Sequence, residues 1–128
     1  MKNLIFSAAI ILFFAVGAIA QNQNILTRSF KVDHRLMFNL PTNNENVEFL
    51  IDNSLALGIV RLEVVIDHNA PETVFKDLVK NDRYQFEQSN EEILLKVSQK
   101  QVFWGRGAEL KESFKVCIYM SKATSKLK

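Results

Sequence analysis

The stretch IVRLEVVID at residues 59–67 alternates apolar and charged side chains almost without a break. Successive side chains of an extended chain point to opposite faces, so strict alternation predicts a β-strand with one face buried and the other toward water. The apolar face has to be covered by a second layer of structure. Its members are Val60, Leu62, Val64 and Ile66.

Similar patterns recur along most of the chain. Residues 30–40 place apolar side chains at even steps, and short apolar runs bounded by turn residues follow later in the sequence. The segments that predict strands are 30–40, 47–52, 59–67, 83–87, 92–98 and 112–120, with a further short strand leading into a Gly-containing loop within 101–110.

One segment has a helical period. In NAPETVFKDLVK at 69–80, Val74, Phe75, Leu78 and Val79 form one apolar stripe. Asn69 and Glu72 have capping-box spacing, which predicts that Asn69 caps the helix. A helix of about three turns is marginal alone in water, so its stripe must dock on the sheet.

The predicted fold is therefore mainly β with one short α-helix. About seven strands form an antiparallel β-sandwich-like or solenoid-like sheet, and the helix at 69–80 covers it.

The N-terminus has the three parts of a secretory signal peptide. Lys2 supplies the charged start, residues 4–16 form an apolar run that contains one small polar residue, Ser7, and Ala18 to Ala20 form a small-x-small cleavage site. The apolar run is shorter than the ~20 residues of a spanning helix. We expect residues 1–20 to be removed, which leaves no transmembrane segment and a protein secreted to the periplasm or the cell surface.

The remaining chain predicts one β-rich domain at 21–120 and a basic, flexible tail at 121–128. Loss of Lys2 lowers the net charge from +2 to +1, so nothing indicates a nucleic-acid partner. Cys117 is the single cysteine and can form no internal disulfide. Its strand-like surroundings favour a small, half-buried side chain, and an intermolecular disulfide is the alternative.

Two Asp-His pairs are candidate metal ligands, at 33–34 and 67–68. A zinc site needs three or four protein ligands, and two distant histidines with one cysteine do not supply them. The even-step register of 30–40 predicts that His34 faces the core. Asp67 and His68 are expected to fix the turn between strand and helix.

Trp104 and Arg106 are the candidate residues for contact with a ligand or a partner. They lie in Trp104-Gly105-Arg106-Gly107, where an aromatic ring and a guanidinium could stack on a sugar or a side chain. The alternative is a hairpin loop whose Trp folds back on the sandwich and whose glycines serve the turn. Nucleophile elbows, HExxH and phosphate-binding loops do not occur, so the sequence predicts no catalytic site, no metal and no cofactor.

Several of these features together resemble the adhesin-like family of β-rich bacterial envelope proteins of unknown function. They are an arginine-led strand at 61–64, a helix starting with Asn-Ala-Pro at 69–71, a Leu-Val-Lys-x-x-Arg-Tyr link at 78–84, and the strand FKVCIYM at 114–120. The resemblance covers roughly residues 36–120.

The resemblance implies a secreted, non-catalytic domain that acts through protein–protein contact. Family members continue into further strands after the one at 114–120, so this chain resembles a short or truncated member. That strand is then expected to be an open edge that pairs with an envelope protein or with another copy. The alternative function is a small-ligand or glycan-binding module that uses Trp104 and Arg106.

Overall fold

A computed structural model describes residues 22–128. The predicted signal peptide lies outside these residues. The strands are β1 (Asn22–Lys31), β2 (Met37–Asn39), β3 (Val47–Ile51), β4 (Ile59–His68), β5 (Tyr84–Gln88), β6 (Glu92–Val97), β7 (Phe103–Trp104), β8 (Ala108–Glu109) and β9 (Glu112–Met120). The helices are α1 (Glu72–Lys80), α2 (Lys122–Ser125) and one 3-10 turn (Asn44–Asn46).

The strands form a four-stranded sheet and a three-stranded sheet, with a small hairpin of β7 and β8. The four-stranded sheet has the order β1-β4-β9-β3. Its centre is β4, which pairs antiparallel with β1 over Asn22–Lys31 and with β9 over Glu112–Met120. The three-stranded sheet has the order β2-β6-β5.

The two sheets pack face to face around one apolar core. Along β4 every second side chain is buried, as the alternation predicts. Aromatic pairs join the sheets at both lateral edges: Phe30 of β1 meets Phe86 of β5 at 6.0 Å, and Phe49 of β3 meets Phe38 of β2 at 5.8 Å. The mainly β fold with a short helix is confirmed, in a sandwich-like form.

Three features of the strands differ from the sequence prediction. The first strand begins at Asn22 rather than at residue 30, because its backbone pairs with β4 although its sequence scarcely alternates. The predicted strand 30–40 is broken at 32–36, after which β2 continues in the other sheet. In addition, β2 pairs parallel with β6 and β3 pairs parallel with β9.

The C-terminal strand is not an edge, which corrects the prediction for residues 114–120. It lies between β4 and β3, so neighbouring strands cover its backbone on both sides over residues 116–120. The edges of the four-stranded sheet are β1 and β3. A partner strand therefore cannot pair with residues 116–120 unless β3 first leaves the sheet.

Helix α1 starts at Glu72, three residues later than predicted, and Asn69 does not cap it. The Asn69 side chain instead donates to the carbonyl of Glu109 and accepts from the N–H of Lys111. Phe75 is the buried residue of the helix and stacks on the His68 ring. The helix therefore covers the end of the sandwich at which β4 finishes.

The segment after β9 differs from the predicted flexible tail. Ser121 caps α2 by accepting from the N–H of Thr124, and both residues are buried. The Thr124 hydroxyl accepts from the N–H of Gly58. Gly58 has φ +82°, and a Cβ there would lie 2.8 Å from the Val32 carbonyl oxygen. This close approach ties the ends of β1, β4 and β9 together. No helix within residues 22–128 is long and apolar enough to cross a membrane.

A buried ion pair joins the two sheets beside α1. Arg83 precedes β5 and donates from Nη2 to Oε1 of Glu112 on β9 at 2.6 Å. The Tyr84 hydroxyl donates to Oε2 of the same carboxylate at 2.5 Å, and Arg83 Nη1 donates to the carbonyl of Lys100. The side chains of Arg83 and Glu112 are only 11% and 12% exposed. Burial and the neighbouring carboxylate raise the pKa of Tyr84 above its ordinary value.

We expect Glu112→Gln to lower the free energy of unfolding by about 3 kcal/mol, because the substitution leaves the Arg83 cation buried without its counter-charge. Urea denaturation followed by tryptophan fluorescence measures this change. The control is Glu87→Gln on the exposed part of β5, which should change stability by less than about 0.5 kcal/mol. Equal effects of the two substitutions would contradict a structural role for the pair.

Candidate functional site

The hairpin of β7 and β8 holds the two predicted contact residues. Gly105 and Gly107 have φ +60° and +90°, so the turn between Trp104 and Ala108 uses backbone conformations that favour glycine. Arg106 lies exposed at the tip. Trp104 is half-buried and packs against the core. The ring therefore folds back on the sandwich, and the hairpin brings only part of it to the surface with Arg106.

The first Asp-His pair is exposed, so the expectation that His34 faces the core is wrong. The chain leaves β1 before His34, and the even-step register ends there. His34 Nε2 donates to the carbonyl of Asn90 at 2.6 Å, and Nδ1 lies 2.5 Å from the Asp33 carboxylate. Hydrogen bonding to Asp33 raises the pKa of His34 above its ordinary value.

Of the second pair only His68 bonds to the turn after β4, whereas the Asp67 carboxylate accepts from Nε2 of Gln23 on β1. His68 is fully buried, and its Nδ1 accepts from the N–H of Ala70 at 3.1 Å. Nε2 must then carry the proton and donate to Oδ1 of Asn24 at 2.6 Å. The ring stacks on Phe75 at 4.1 Å. Burial lowers the pKa of His68, since its environment favours the neutral ring.

These side chains do not come together into a reactive cluster. Within residues 22–128 no three of the His, Cys, Asp and Glu side chains lie close enough to hold a metal ion. His68 is hydrogen-bonded through both ring nitrogens in the core. Each histidine therefore has local partners that account for its position.

Cys117 lies half-buried on the outer face of the four-stranded sheet. Glu63 of β4 and Glu48 of β3 are its register partners on the two sides. Burial, and after it these two carboxylates, raise the pKa of the thiol. A raised pKa reduces the fraction of reactive thiolate. The expectation of a small, half-buried side chain agrees with this position.

The side of the sandwich at β3 leaves apolar residues exposed. Phe49 and Ile51 are register partners of Ile118 and Met120 on β9, so their side chains lie on the core-facing side of the sheet. They are nevertheless 62% and 56% exposed. Exposed apolar side chains on an edge strand are typical of protein contact surfaces. We call Phe49 and Ile51 the β3 patch.

The β3 patch is exposed because the two sheets differ in width. Opposite β3 lies β2, which has only three residues. Phe38 is the one residue of β2 that faces the core, because it is the register partner of the buried Ile93. Phe38 reaches Phe49 edge to face, and β2 has no further core-facing side chain to place over Ile51. Met37 points away from the core and is exposed beside Phe49.

An apolar cleft of about 270 Å³ opens at the β3 patch, and both Phe49 and Ile51 line it. Its floor consists of Leu36, Val60 and Ile93, all buried. Residues at its rim include His34, Arg35 and Ser125. A second depression, lined by Met37, Phe38 and Phe49 among others, adjoins it. The cleft extends from the surface to the core between the two sheets.

Comparisons of the chain with protein-family models, with curated proteins and with solved structures found no match. The resemblance to adhesin-like proteins therefore stays a hypothesis, and the arrangement of the residues has to carry the functional argument.

The sequence predicts neither the β3 patch nor the cleft. The alternation of residues 47–52 puts Val47, Phe49 and Ile51 on one side of the strand, as the register with β9 has them, but the length of the facing strand decides their exposure. Residues 32–36 were read as part of a continuous strand, so the position of Arg35 at a cleft was missed. The residues Asp33-His34 and Pro41, which border the short β2, are the signals that could have revealed this break.

We expect the stability of the parent protein to fall when the pH is lowered from 7.5 to 5. The unfolded chain protonates His68 near pH 6.5, whereas the folded pKa is lower, so in this window the unfolded state binds more protons. The urea midpoint should decrease as the pH falls through 6.5 toward the folded value. In the variant His68→Gln, the decrease of the urea midpoint that His68 causes should be absent.

His34→Gln is the matched control, because the folded pKa of His34 is shifted in the opposite direction. The stabilisation from His34 is present below pH 6.5 and is lost as the pH rises through its raised pKa. His34→Gln should therefore make the acid-induced loss of stability larger. The same pH dependence in both variants would contradict the burial of His68 as a neutral ring.

Proposed function

We propose that this chain is a non-catalytic domain of the periplasm or cell surface that acts through protein–protein contact. The observation that carries the proposal is the exposure of Phe49 and Ile51 on an edge strand. We assign the proposed contact surface to β3, which is an edge strand of the four-stranded sheet, rather than to the internal C-terminal strand. The adhesin-like resemblance is compatible with such a role, and the family remains part of the proposal.

Strand addition at β3 is the mode of contact that the geometry favours. An edge strand offers unpaired backbone N–H and C=O groups along its free side. An extended segment of a partner protein that pairs there can place apolar side chains over the β3 patch, which the three-stranded sheet leaves uncovered. Glu48 is the only charged residue of β3, so little charge opposes such pairing.

The predicted signal peptide supports the proposed location. All strands and core residues that the structure describes lie within residues 22–128, so cleavage after Ala20 would leave them intact. Chain recovered from the envelope fraction should accordingly begin at Gln21, which intact-mass measurement can check. A chain that retains residues 1–20 would contradict secretion by cleavage.

The alternative function is the binding of a small ligand or glycan by Trp104 and Arg106. The exposed Arg106, held between two glycines of positive φ, is the observation that favours it. The partial burial of Trp104 against the core leaves less of the ring for stacking on a sugar. We therefore place this function second.

Site-specific photo-cross-linking in living cells tests both functions. A photoreactive phenylalanine analogue replaces Phe49 in one variant and Phe103 in the other. These residues have similar exposures of 62% and 57%, and Phe103 adjoins Trp104 in the hairpin. We expect one discrete protein adduct from position 49 and none from position 103. An adduct only from position 103 would move the contact to the hairpin, and none from either would contradict protein contact.

A charge at the edge gives an independent check. Ile51→Lys should abolish the adduct by adding a desolvation cost at the edge, while Ile25→Lys should leave it unchanged. Ile25 is 55% exposed on β1, the opposite edge of the same sheet, and Ile51 is 56% exposed. Loss of the adduct in both variants would show that it does not depend on the β3 edge.

A further inference from the structure

The cleft beside β3 has the shape of a site for a slender apolar group. Its volume of about 270 Å³ lies at or below the roughly 300–1,000 Å³ of drug-sized ligand pockets. Ten of its lining residues have apolar side chains, and the floor reaches Ile93, which is fully buried. A single acyl chain is an apolar group small enough for such a space.

The charge at the rim indicates the head group. Arg35 is exposed at the cleft and makes no ion pair with any of residues 22–128. The neighbouring His34 is engaged on both ring nitrogens by Asp33 and Asn90. None of the residues lining the cleft is acidic. Arg35 is therefore a cation beside an apolar cleft without a carboxylate among the lining residues.

We propose that the cleft binds a carboxylate amphiphile with one acyl chain, with the chain between the two sheets and the carboxylate on Arg35. Arginine can donate two parallel hydrogen bonds to a carboxylate. The hydroxyl of Ser125 on the same cleft already donates to the Lys122 carbonyl at 2.6 Å, so the guanidinium of Arg35 is the proposed donor to the carboxylate. This site is distinct from the hairpin of Trp104 and Arg106, and its proposal goes beyond protein contact at β3.

Calorimetric titration of the mature chain with decanoate tests the proposal. Decanoate should bind, and octanoate should bind about tenfold more weakly, since each buried methylene contributes roughly threefold to fourfold in affinity. Decyltrimethylammonium has a tail one carbon longer and a cationic head, and it should still bind at least about tenfold more weakly than decanoate. Absence of decanoate binding, or equal binding of the cationic amphiphile, would overturn the proposal.

Two substitutions locate the binding. Arg35→Gln should weaken decanoate binding about tenfold, while Arg28→Gln on β1, another exposed arginine without an ion pair in the described chain, should leave it unchanged. Leu127→Trp places a larger side chain on the half-buried wall of the cleft and should also reduce binding. Equal loss in the Arg35 and Arg28 variants would show that the attraction is not local to the cleft.

The cross-linking variants keep the two proposals separate. Arg35→Gln leaves Phe49 and Ile51 in place, so the adduct from position 49 should persist when decanoate affinity falls. If decanoate does not bind and Leu127→Trp removes the adduct, the cleft receives an apolar side chain of the protein partner, and the amphiphile proposal is wrong.

Discussion

The pairing of β4 along its whole length is the constraint on which the rest of the molecule depends. Its two edges are occupied by β1 and β9, and its core-facing side supplies a continuous row of buried side chains from Val60 to His68. Each later element meets that row. The three-stranded sheet covers its middle, α1 covers the end at His68, and the segment around Thr124 closes the end near Gly58. The two ends of the row differ in chemistry. The end at His68 is filled by aromatic stacking and the Arg83–Glu112 ion pair, whereas the end near Gly58 opens into the cleft.

The unequal width of the sheets links the fold to the proposed function. A four-stranded sheet facing a three-stranded one leaves part of its inner face uncovered, and the short β2 places that gap at β3. The consequence is exposed apolar surface on an edge strand, which a partner strand could cover. The same gap lets the cleft reach the core. The proposed protein contact and the proposed amphiphile binding therefore have one structural origin and share Phe49 and Ile51, but Arg35 is needed only for the amphiphile.

The two histidines show how little a shared dipeptide determines. Both follow an aspartate, yet His68 is buried as a neutral ring and His34 is exposed beside its carboxylate, with pKa shifts in opposite directions. The difference arises because β4 continues through Asp67 and His68, whereas β1 ends before Asp33. The helix that follows His68 acts as a cover: Phe75 stacks on the ring, and Asn69 holds the chain before β9.

The sequence by itself determined the strands with clear alternation, the single helix and the buried row of β4, because side-chain periodicity is a local property that burial on one face imposes. It also placed Trp104 and Arg106 on a glycine turn. Tertiary structure alone decided that β9 is internal, that β1 begins at Asn22, and that Phe49 and Ile51 are exposed. Strand order depends on pairing between distant segments, and the exposure of a side chain depends on the length of the strand opposite. Neither can therefore be predicted from the local sequence of the strand itself. The proposed site at Arg35 has the same origin. It forms where the segment between β1 and β2, strand β3 and the C-terminal segment meet.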